Sequence, residues 1–330
     1  MSQSVSTLSA PESSATSDLA ATLKAAGDPL RLEILRLLAR DSFGVMELSR
    51  IFEIKQSGMS HHLKVLANAG LVASRREGNS IFYRRALPSA GPHHELLNSL
   101  FVTLDGHSLS LLVQQRLGQI QQERASASQA FFADNATKFR AQQDLIASYP
   151  VYADAVGEML ASLDTAKNGT ALEVGPGEGE FLSQLAPRFK QVVALDNSES
   201  MLEKARAFAR QEALNNVEFL HGDSKLAVSR HLQVDCAVIN MVLHHVPSPA
   251  EIFDDISQLL RPTGHLLVTD LCRHDQQWAR EACGDMWLGF EPDDFSTWAG
   301  LAGLQEGQSQ YIALRNGFQI QIRHFFKPPR

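Results

Sequence analysis

The sequence predicts an α/β protein of two domains: a small, mostly helical domain followed by a larger one built on a parallel sheet. Three observations lead to this expectation. The chain has 330 residues, which is long for one hydrophobic core. Amphipathic helical segments and then two short strand-like runs occupy residues 28–88. From Ala171 onward, strand-like and helix-like segments alternate, as in a doubly wound sheet.

The composition is that of a soluble globular protein, with 44% hydrophobic and 20% charged residues. No apolar run approaches the roughly 20 residues of a membrane span, so we expect no membrane partner. Residues 1–18 lack a basic start and an apolar core, and they predict a disordered tail rather than a secretory signal. Cys236, Cys272 and Cys283 have no metal-type spacing, which predicts reduced thiols and a cytoplasmic location.

Charge is distributed unevenly along the chain. Between Asp18 and Pro88, lysine and arginine outnumber aspartate and glutamate by 11 to 7, although the whole chain has a formal net charge of −7. A basic module joined to an acidic one is typical of a nucleic-acid-binding domain fused to another domain. A segment this short can also be basic by chance, so the charge supports the idea without establishing it.

The basic segment predicts helices and a hairpin. Asp28 and Pro29 begin a helix as its N-cap and first residue, and apolar residues follow at helical spacing. A short amphipathic helix, "VMELSRIF", comes next, and the linker "EIKQ" leads to a helix that Gly70 ends. The runs "LVASRREG" and "NSIFYRRA" then predict two strands joined by a turn. This order is that of a winged helix-turn-helix.

The helix "QSGMSHHLKVLAN" has the pattern of a DNA-recognition helix. At 100° per residue, Met59, Leu63 and Leu66 share a face that is predicted to pack in the core. The opposite face is small, polar and basic, which suits base edges and phosphates. His61 is also compatible with a solvated surface role, and His62, nearer the core, with a structural one. The predicted DNA-binding residues are Ser57, Ser60, His61, His62, Lys64, Arg75 and Arg76, with Arg84 and Arg85 as further phosphate contacts.

Residues 19–88 resemble the ArsR/SmtB family of winged-helix repressors through "GDPLRLEILRLL", "QSGMSHHLKVLANAGLV" and "RREGNSIFYRRA". The resemblance implies a DNA-binding and dimerisation domain over residues 19–105, a homodimer, and a two-fold operator in double-stranded DNA. Metal-sensing members often carry a cysteine pair where this chain has "FGVMEL". Adjacent histidines on a helix point about 100° apart, which is poor geometry for one ion, so we expect no metal. A second metal site of the family, on its closing helix, uses Asp, His and Glu, and the nearby candidates in this chain are His93, His94, Glu95, Asp105 and His107.

Residues 106–150 are predicted to form a helical connector. The stretch from Leu111 to Ile146 is rich in Gln, Ala, Arg and Leu, contains one glycine and no proline, and favours long helix. Its first part is expected to complete the dimer interface. Phe131, Phe132 and Phe139 either cover a pocket of the next domain as a lid or pack in its core, and core packing is slightly favoured.

The stretch "ALEVGPGEGEFLSQLA" predicts a strand, a glycine turn and a helix. Its glycine spacing is GxGxG, and neither GxGxxG nor a P-loop is present. Three carboxylates crowd the turn, where they would repel a pyrophosphate but attract a cation. S-adenosylmethionine has an ammonium and a sulfonium and no phosphate, so it fits better than NAD. The turn contains the glycines Gly175, Gly177 and Gly179 and the acids Glu173, Glu178 and Glu180.

The strands that follow end in polar residues that suit a nucleoside. "QVVALD" ends in Asp196, next to Asn197, where an acid can accept both ribose hydroxyls. "VEFLHG" leads to Asp223 and Ser224, and the Asp223 carboxylate suits the adenine amino group. "VDCAVIN" ends at Asn240, under the methionine part of the cofactor. Ordinary solvation of strand ends is the alternative for Asp196 and Asp223.

Residues 151–330 resemble class I S-adenosylmethionine-dependent methyltransferases of the small-molecule kind related to quinone-biosynthesis enzymes. The resemblance rests on "EVGPGEG", Asp196, "GDS" and the closing hairpin around "FQIQIRHFF". It implies a Rossmann-like domain with an antiparallel final hairpin that binds S-adenosylmethionine or S-adenosylhomocysteine. In that family, Glu173 and the glycines contact the amino-acid end of the cofactor, Asp196 the ribose and Asp223 the adenine.

Two functions remain open at this point. In the first, the chain is a repressor whose methyltransferase-like domain binds the cofactor as an effector; similar fused regulators control genes of the methionine and S-adenosylhomocysteine cycle. In the second, the domain is an active small-molecule methyltransferase with His244 or His245 as base, although both histidines also suit packing at a strand end. The [ND]PP[FY] motif of amino-group methyltransferases is absent. We favour the first, because a DNA-binding module without its family's metal site requires another input.

Overall fold

The computed structural model describes residues 15–77, 80–86, 93–135, 139–165 and 168–329. The chain divides into two compact units, Met1–Ile120 and Gln121–Arg330, and the division falls inside the predicted helical connector. Within the described ranges, every helix is too short or too polar to cross a lipid bilayer.

The first unit packs short helices against a three-stranded sheet. β3 lies between β1 and β2, and both pairings are antiparallel. The next helix, α6 (Leu111–Asn135), begins in this unit. The other elements are α1 (Ala15–Ala26), α2 (Pro29–Leu37), β1 (Phe43–Gly44), α3 (Val45–Phe52), α4 (Gln56–Asn68), β2 (Val72–Glu77), β3 (Ser80–Arg85) and α5 (His94–Asp105).

The helix signals in this unit have their expected structural basis. Asp28 accepts a hydrogen bond from the Arg31 N–H at 3.0 Å and caps α2. Gly70 follows α4 with φ of +68°, the left-handed conformation that ends a helix. Met59 and Leu63 are fully buried, as the α4 pattern predicts. The winged helix-turn-helix order is therefore confirmed.

Two features of the first unit differ from the sequence-based expectation. α1 begins at Ala15, so residues 15–18 of the predicted disordered tail are helical, with the Asp18 carboxylate in the positively polarised first turn. The rest of that tail lies outside the described residues. Strand β1 was not predicted, because a two-residue strand is too short to show an alternating pattern.

The second unit is built on a seven-stranded sheet of order β6-β5-β4-β7-β8-β10-β9. Its elements are α7 (Phe139–Ile146), α8 (Tyr149–Ser162), β4 (Thr170–Val174), α9 (Leu182–Leu185), β5 (Gln191–Asp196), α10 (Glu199–Gln211), β6 (Val217–His221), α11 (Ser224–Ser229), β7 (Val234–Asn240), a 3-10 turn (Leu243–His245), α12 (Pro249–Leu259), β8 (Leu260–Leu271), α13 (Trp278–Cys283), α14 (Pro292–Leu301), β9 (Gln305–Ala313) and β10 (Gln319–Phe326).

The strand order places a crevice at the centre of this sheet. β4 pairs in parallel with β5 on one side and with β7 on the other. The chain therefore leaves β4 in one direction and returns to β7 in the other, and the loops at their carboxyl ends diverge, as at the ligand-binding edge of doubly wound sheets. β10 runs antiparallel between β8 and β9, which confirms the Rossmann-like fold with a closing hairpin.

The core of the first unit supplies a stability test. Leu63 is fully buried within its hydrophobic cluster, whereas its neighbour Lys64 is exposed. We expect Leu63→Ala to lower the free energy of unfolding of this unit by about 2–5 kcal/mol, because it removes packed methyl groups and leaves a cavity. Lys64→Ala is the control and should change the same quantity by less than about 0.5 kcal/mol. Denaturant unfolding measures both, and equal effects would contradict the packing of α4.

Candidate functional site

The exposed face of α4 carries the predicted DNA-recognition residues. Ser57, Ser60, His61 and Lys64 are all exposed, on the side of the helix opposite the buried face. His62 is half-buried, and its Nδ1 atom is buried without a hydrogen-bond partner among the described residues. The helix therefore presents a small, polar and basic row, with His62 at the margin between that row and the core.

The hairpin arginines divide into two groups. Arg75 and Arg76 lie in β2, and Arg76 is exposed. Arg85 instead donates to both carboxylate oxygens of Asp105 at 2.8 and 2.7 Å and lies 4.4 Å from the ring centre of Phe101. These contacts hold the Arg85 guanidinium inside the unit and compete with the expected phosphate contact, which stays a prediction. No local pattern connects Arg85 with a partner 20 positions away.

The glycine turn after β4 closes tightly against the end of β7. Gly175 has φ of +67°, and a Cβ atom there would lie 2.5 Å from Cγ2 of Val242. Gly179 has φ of +94°, and its Cβ would lie 3.0 Å from the Cα of Ala205 in α10. Both positions therefore require glycine, for conformation and for space. Gly177, with φ of +58°, has open space where a side chain would stand.

The buried face beside this turn holds polar groups that lack partners. Glu173 is 1% exposed, and its Oε2 has no hydrogen-bond partner in the described part of the chain. Both polar side-chain atoms of Asn240 and the Thr269 hydroxyl are in the same situation. Glu173 pairs with Val238, and Asn240 with Thr269, so the sheet register turns these side chains to one face. A buried polar group without a hydrogen bond lowers the stability of the fold. Several such groups on one face are typical of a ligand-binding site.

Burial changes the charge state of Glu173. Removal from water raises the pKa of its carboxyl group from 4.5 to about 8, and no other cause contributes. The other two acids of the turn are neutralised. Arg140, on α7, donates to Glu178 and to Glu180, each at 2.8 Å, and Lys204 donates to Glu178 at 2.9 Å. The expectation that all three carboxylates attract a cation is therefore too broad, because two already have basic partners.

Arg140 is a residue of this site that the sequence analysis missed. It lies 38 positions before Glu178, and no local pattern connects a helix in the connector with a turn after β4. The Glu178 pKa is lowered because hydrogen bonds from Arg140 and Lys204 outweigh the opposing effect of burial. Arg140 therefore helps to keep the Glu178 carboxylate of the glycine turn ionised. Phe131 packs on Gly284, and the side chains of Phe132 and Phe139 lie outside the described residues.

The residues predicted to bind ribose and adenine lie at the carboxyl ends of β5 and β6. Asp196 accepts the Ser198 N–H at 2.8 Å, and burial raises its pKa to about 6 against the lowering effect of that bond. Asn197 follows as an exposed residue. Asp223 caps α11 by accepting the Leu226 N–H at 2.9 Å. The Ser224 hydroxyl is buried and donates to Asp255 at 2.6 Å. The backbone of Ser224 is then the part of this residue that suits contact with a nucleoside.

The two histidines proposed as bases lie in the 3-10 turn after β7, since that strand ends at Asn240. His244 is fully buried, with Nδ1 2.6 Å from an Asp270 carboxylate oxygen. Burial by itself lowers the pKa of His244, but the carboxylates of Asp270 and Asp285 outweigh it and raise the pKa to about 9. Burial and the neighbouring His244 lower the pKa of His245 well below 6.5. One ring is therefore protonated at neutral pH and the other is uncharged.

Comparison with known proteins agrees with this division of the chain. Residues 28–74 match the family of bacterial regulatory proteins of the arsR type, and residues 165–306 match a methyltransferase domain. The biofilm growth-associated repressor of Agrobacterium fabrum is 40% identical over 94 residues, which are 28% of this chain and 80% of the repressor. The chain belongs to the ArsR family. In this ArsR-family protein, the DNA-binding module is joined to a methyltransferase domain.

Relatives of other kinds match over shorter shares of their length. A 37.1 kDa protein of transposon TN4556 from Streptomyces fradiae is 35% identical over 33% of this chain and 32% of its own. A ubiquinone biosynthesis O-methyltransferase of Acinetobacter baylyi is 31% identical over 32% of this chain and 45% of its own. The chain thus spans less than half of either relative. A solved methyltransferase from Clostridium acetobutylicum aligns with 60% of this ArsR-family protein and 99% of its own chain, at 12% identity and a TM-score of 0.47.

The buried carboxyl of Glu173 leads to a pH-dependent prediction. Its pKa is about 8 in the folded protein against an ordinary 4.5, so the folded state holds this proton more tightly than the unfolded state. The free energy of unfolding should therefore fall as pH rises from about 4.5 to 8, with a cost of about 3 kcal/mol at pH 7. Glu173→Gln removes the ionisable group and should stabilise the second unit by up to that amount at pH 7 and by little near pH 4.

Denaturant unfolding across this pH range measures the effect. Glu218→Gln, at an exposed position of β6, is the control and should leave the pH dependence as in the wild type. A Glu173→Gln protein whose stability relative to wild type does not change with pH would show that this carboxyl is not buried as described.

Proposed function

We propose that this ArsR-family protein is a transcriptional regulator, a repressor, whose methyltransferase domain binds S-adenosylmethionine or S-adenosylhomocysteine as an effector that alters DNA affinity. One observation carries the proposal. A chain with a DNA-recognition helix also holds, beside its glycine turn, a buried carboxyl group whose Oε2 lacks a hydrogen-bond partner among the described residues. Such a group suits the ammonium group that both cofactor forms share.

The charge pattern of the turn favours this ligand class over a phosphate. Glu178 and Glu180 are bound by Arg140, and Glu173 has no basic partner in the described part of the protein. A cationic amino-acid group would supply that partner and draw the Glu173 carboxyl into its ionised form. Asn240 offers a donor and an acceptor close by on the same face of the sheet. The Asp196 carboxylate, oriented by the Ser198 N–H, suits the ribose hydroxyls.

The state of the histidines favours the effector role over catalysis. Methyl transfer to a hydroxyl requires a base, and a His244 ring with a pKa of about 9 is already protonated at neutral pH. Its Nδ1 is also occupied by Asp270. A bound cofactor beside a His244 ring that is a poor base suits a receptor that responds to cofactor level.

An active methyltransferase remains the second candidate, and two observations support it. One group of relatives is named for O-methyltransferase activity. His245 is uncharged at neutral pH, because burial lowers its pKa, so this ring has the protonation state of a base. In this version the winged helix serves autoregulation or dimerisation, and the methyl acceptor is a small metabolite.

Apolar side chains exposed on the first unit support a homodimer. Leu96 and Val102 of α5 are 41% and 65% exposed, and Leu111 and Leu112 at the start of α6 are 83% and 60% exposed. Such apolar residues close in sequence are typical of a surface that a second copy covers. A two-fold dimer would present two α4 helices to a two-fold operator in successive major grooves. By similarity with fused ArsR-type regulators, we propose methionine- and S-adenosylhomocysteine-cycle genes as targets.

The exposed row of α4 predicts how DNA binding responds to mutation. Lys64→Ala should weaken binding about equally on all sequences and reduce the slope of log affinity against log salt by about one per half-site, because a phosphate contact is lost. His61→Ala should cost about 1–3 kcal/mol on the preferred sequence and little on others, because a base contact is lost. Fluorescence anisotropy on a duplex selected in vitro with the wild-type chain measures both.

The control for these variants is Arg230→Ala, which removes an exposed positive charge from the second unit. It should leave affinity and salt slope unchanged. If Lys64→Ala and His61→Ala bind the selected duplex like the wild type, α4 is not the recognition helix.

The effector proposal predicts coupling between cofactor and DNA. Saturating S-adenosylmethionine or S-adenosylhomocysteine should change affinity for the selected duplex by about 5- to 150-fold, the range of ordinary allosteric coupling. Asp196→Asn should weaken cofactor binding and abolish the change while leaving cofactor-free DNA affinity intact. His231→Asn, at an exposed left-handed position that asparagine tolerates, is the matched control.

Calorimetric titration with both cofactor forms, with and without the duplex, separates the outcomes. Cofactor binding with no effect on DNA affinity would refute the effector role, and steady conversion of S-adenosylmethionine to S-adenosylhomocysteine with a metabolite extract would then establish the enzyme. Failure to bind either form would refute the cofactor site itself.

A further inference from the structure

A second cluster of polar side chains contains none of the residues proposed to bind the cofactor. It comprises His244 and His245 of the 3-10 turn and Asp285, in the loop after α13. Each offers one ligand atom, and these atoms lie within 4.8 Å of one another. The three residues are 0%, 7% and 1% exposed, so the cluster is enclosed by protein.

The first ring of the cluster has one nitrogen supported and the other directed inward. His244 Nδ1 lies 2.6 Å from an Asp270 carboxylate oxygen. Its Nε2 has no hydrogen-bond partner among the described residues and lies 3.9 Å from Asp285 Oδ1. A carboxylate on the far nitrogen of a histidine is the arrangement that orients imidazole ligands in metal sites.

The second ring repeats this arrangement with the opposite nitrogens. His245 Nε2 lies 2.9 Å from the side-chain amide of Gln143, and its Nδ1 lies 3.7 Å from the same Asp285 Oδ1. If the Gln143 amide turns its oxygen toward His245, it accepts a hydrogen bond from Nε2–H of that ring. The His245 Nδ1 atom is then unprotonated and able to bind an ion. The Gly284 carbonyl oxygen, 3.4 Å from Nδ1, accepts from that nitrogen in the other tautomer.

The backbone holds the two halves of the cluster together. The N–H groups of Met286 and Trp287 both donate to the His244 carbonyl oxygen, at 2.8 and 3.1 Å. The Trp287 indole N–H donates to the Val246 carbonyl oxygen at 2.8 Å. The loop that carries Asp285 is thus attached to the turn that carries the histidines. The two histidine–carboxylate separations, 3.7 and 3.9 Å, approach the roughly 3.3 Å expected between ligands of tetrahedral zinc. The three ligand atoms lie within 4.8 Å of one another, so side-chain rotations toward a common centre would complete the site.

We propose that His244 Nε2, His245 Nδ1 and an Asp285 carboxylate oxygen form a binding site for a divalent transition-metal ion, with Zn²⁺ as the ion that fits best. Two imidazoles and one carboxylate suit zinc and exclude magnesium and calcium, which prefer oxygen ligands. Three protein ligands leave a fourth position for water or for a donor atom of a second ligand. The expectation of no metal for this chain came from the first unit, where adjacent histidines diverge on an α-helix. Here different nitrogens of neighbouring rings reach one carboxylate.

Metal analysis of the full chain, purified without an affinity tag and stripped with a chelator, tests the site. Equilibrium dialysis against Zn²⁺ should yield one tightly bound ion per chain, and Co²⁺ in its place should produce the visible absorption of a four-coordinate ion. Asp285→Asn and His245→Gln should each weaken this binding by at least about 100-fold, since each removes a ligand. Asp270→Asn should weaken it by about 10- to 100-fold through the orientation of His244. His231→Asn, an exposed histidine of the same unit, should bind like the wild type.

Binding of the ion releases the proton that His244 holds at neutral pH. The competing arrangement is a metal-free ion pair in which protonated His244 lies between Asp270 and Asp285. A wild-type chain that retains no stoichiometric Zn²⁺ and shows no Co²⁺ absorption would establish that arrangement and overturn the proposal. So would a folded His245→Gln or Asp285→Asn protein that still binds the ion with wild-type affinity. The wild-type measurement decides the question even if a variant fails to fold, as circular dichroism would show.

Discussion

The parallel pairing of β4 with β5 on one side and β7 on the other is the constraint on which the second unit depends. It makes the chain change direction at the centre of the sheet, so the loops after β4 and β7 separate and leave a crevice at their carboxyl ends. Val242 lies close to Gly175 at the carboxyl ends of these strands. A side chain at Gly175 would meet Val242 and would also be strained by the backbone, so strand order, glycine and crevice form one structural requirement.

The same strand arrangement is where buried polar groups without hydrogen bonds, which lower stability, are found. Glu173, Asn240 and Thr269 are buried on one face of the sheet with polar atoms that lack hydrogen bonds among the described residues. Some comparable groups of the unit are satisfied, as where the buried Ser224 hydroxyl donates to Asp255, whereas others, such as His244 Nε2 and Arg323 Nε, are not satisfied within the described ranges. The unsatisfied groups beside the glycine turn lower stability, as polar groups in functional sites commonly do.

The two histidine pairs show how environment decides chemistry. His61 and His62 lie on an α-helix, where one ring is exposed and the other half-buried. His244 and His245 lie in a buried 3-10 turn, where carboxylates raise the pKa of one ring while burial lowers that of the other. The same dipeptide is therefore at least partly accessible to solvent in one unit and enclosed by protein in the other. Burial and the carboxylates of Asp270 and Asp285, which are distant in sequence, make the difference.

The sequence by itself indicated the two domains, the order of most of their elements and the family of each, because helical periodicity, caps and glycine turns are local signals. It also predicted the α4 recognition face and the acid at the glycine turn, since both depend on spacing within one element. It did not predict that Arg140 neutralises Glu178 and Glu180, that Asp105 binds Arg85, or that Asp285 approaches two histidines. Such contacts join distant elements, and only the tertiary structure decides which charges meet and which stay buried without a partner.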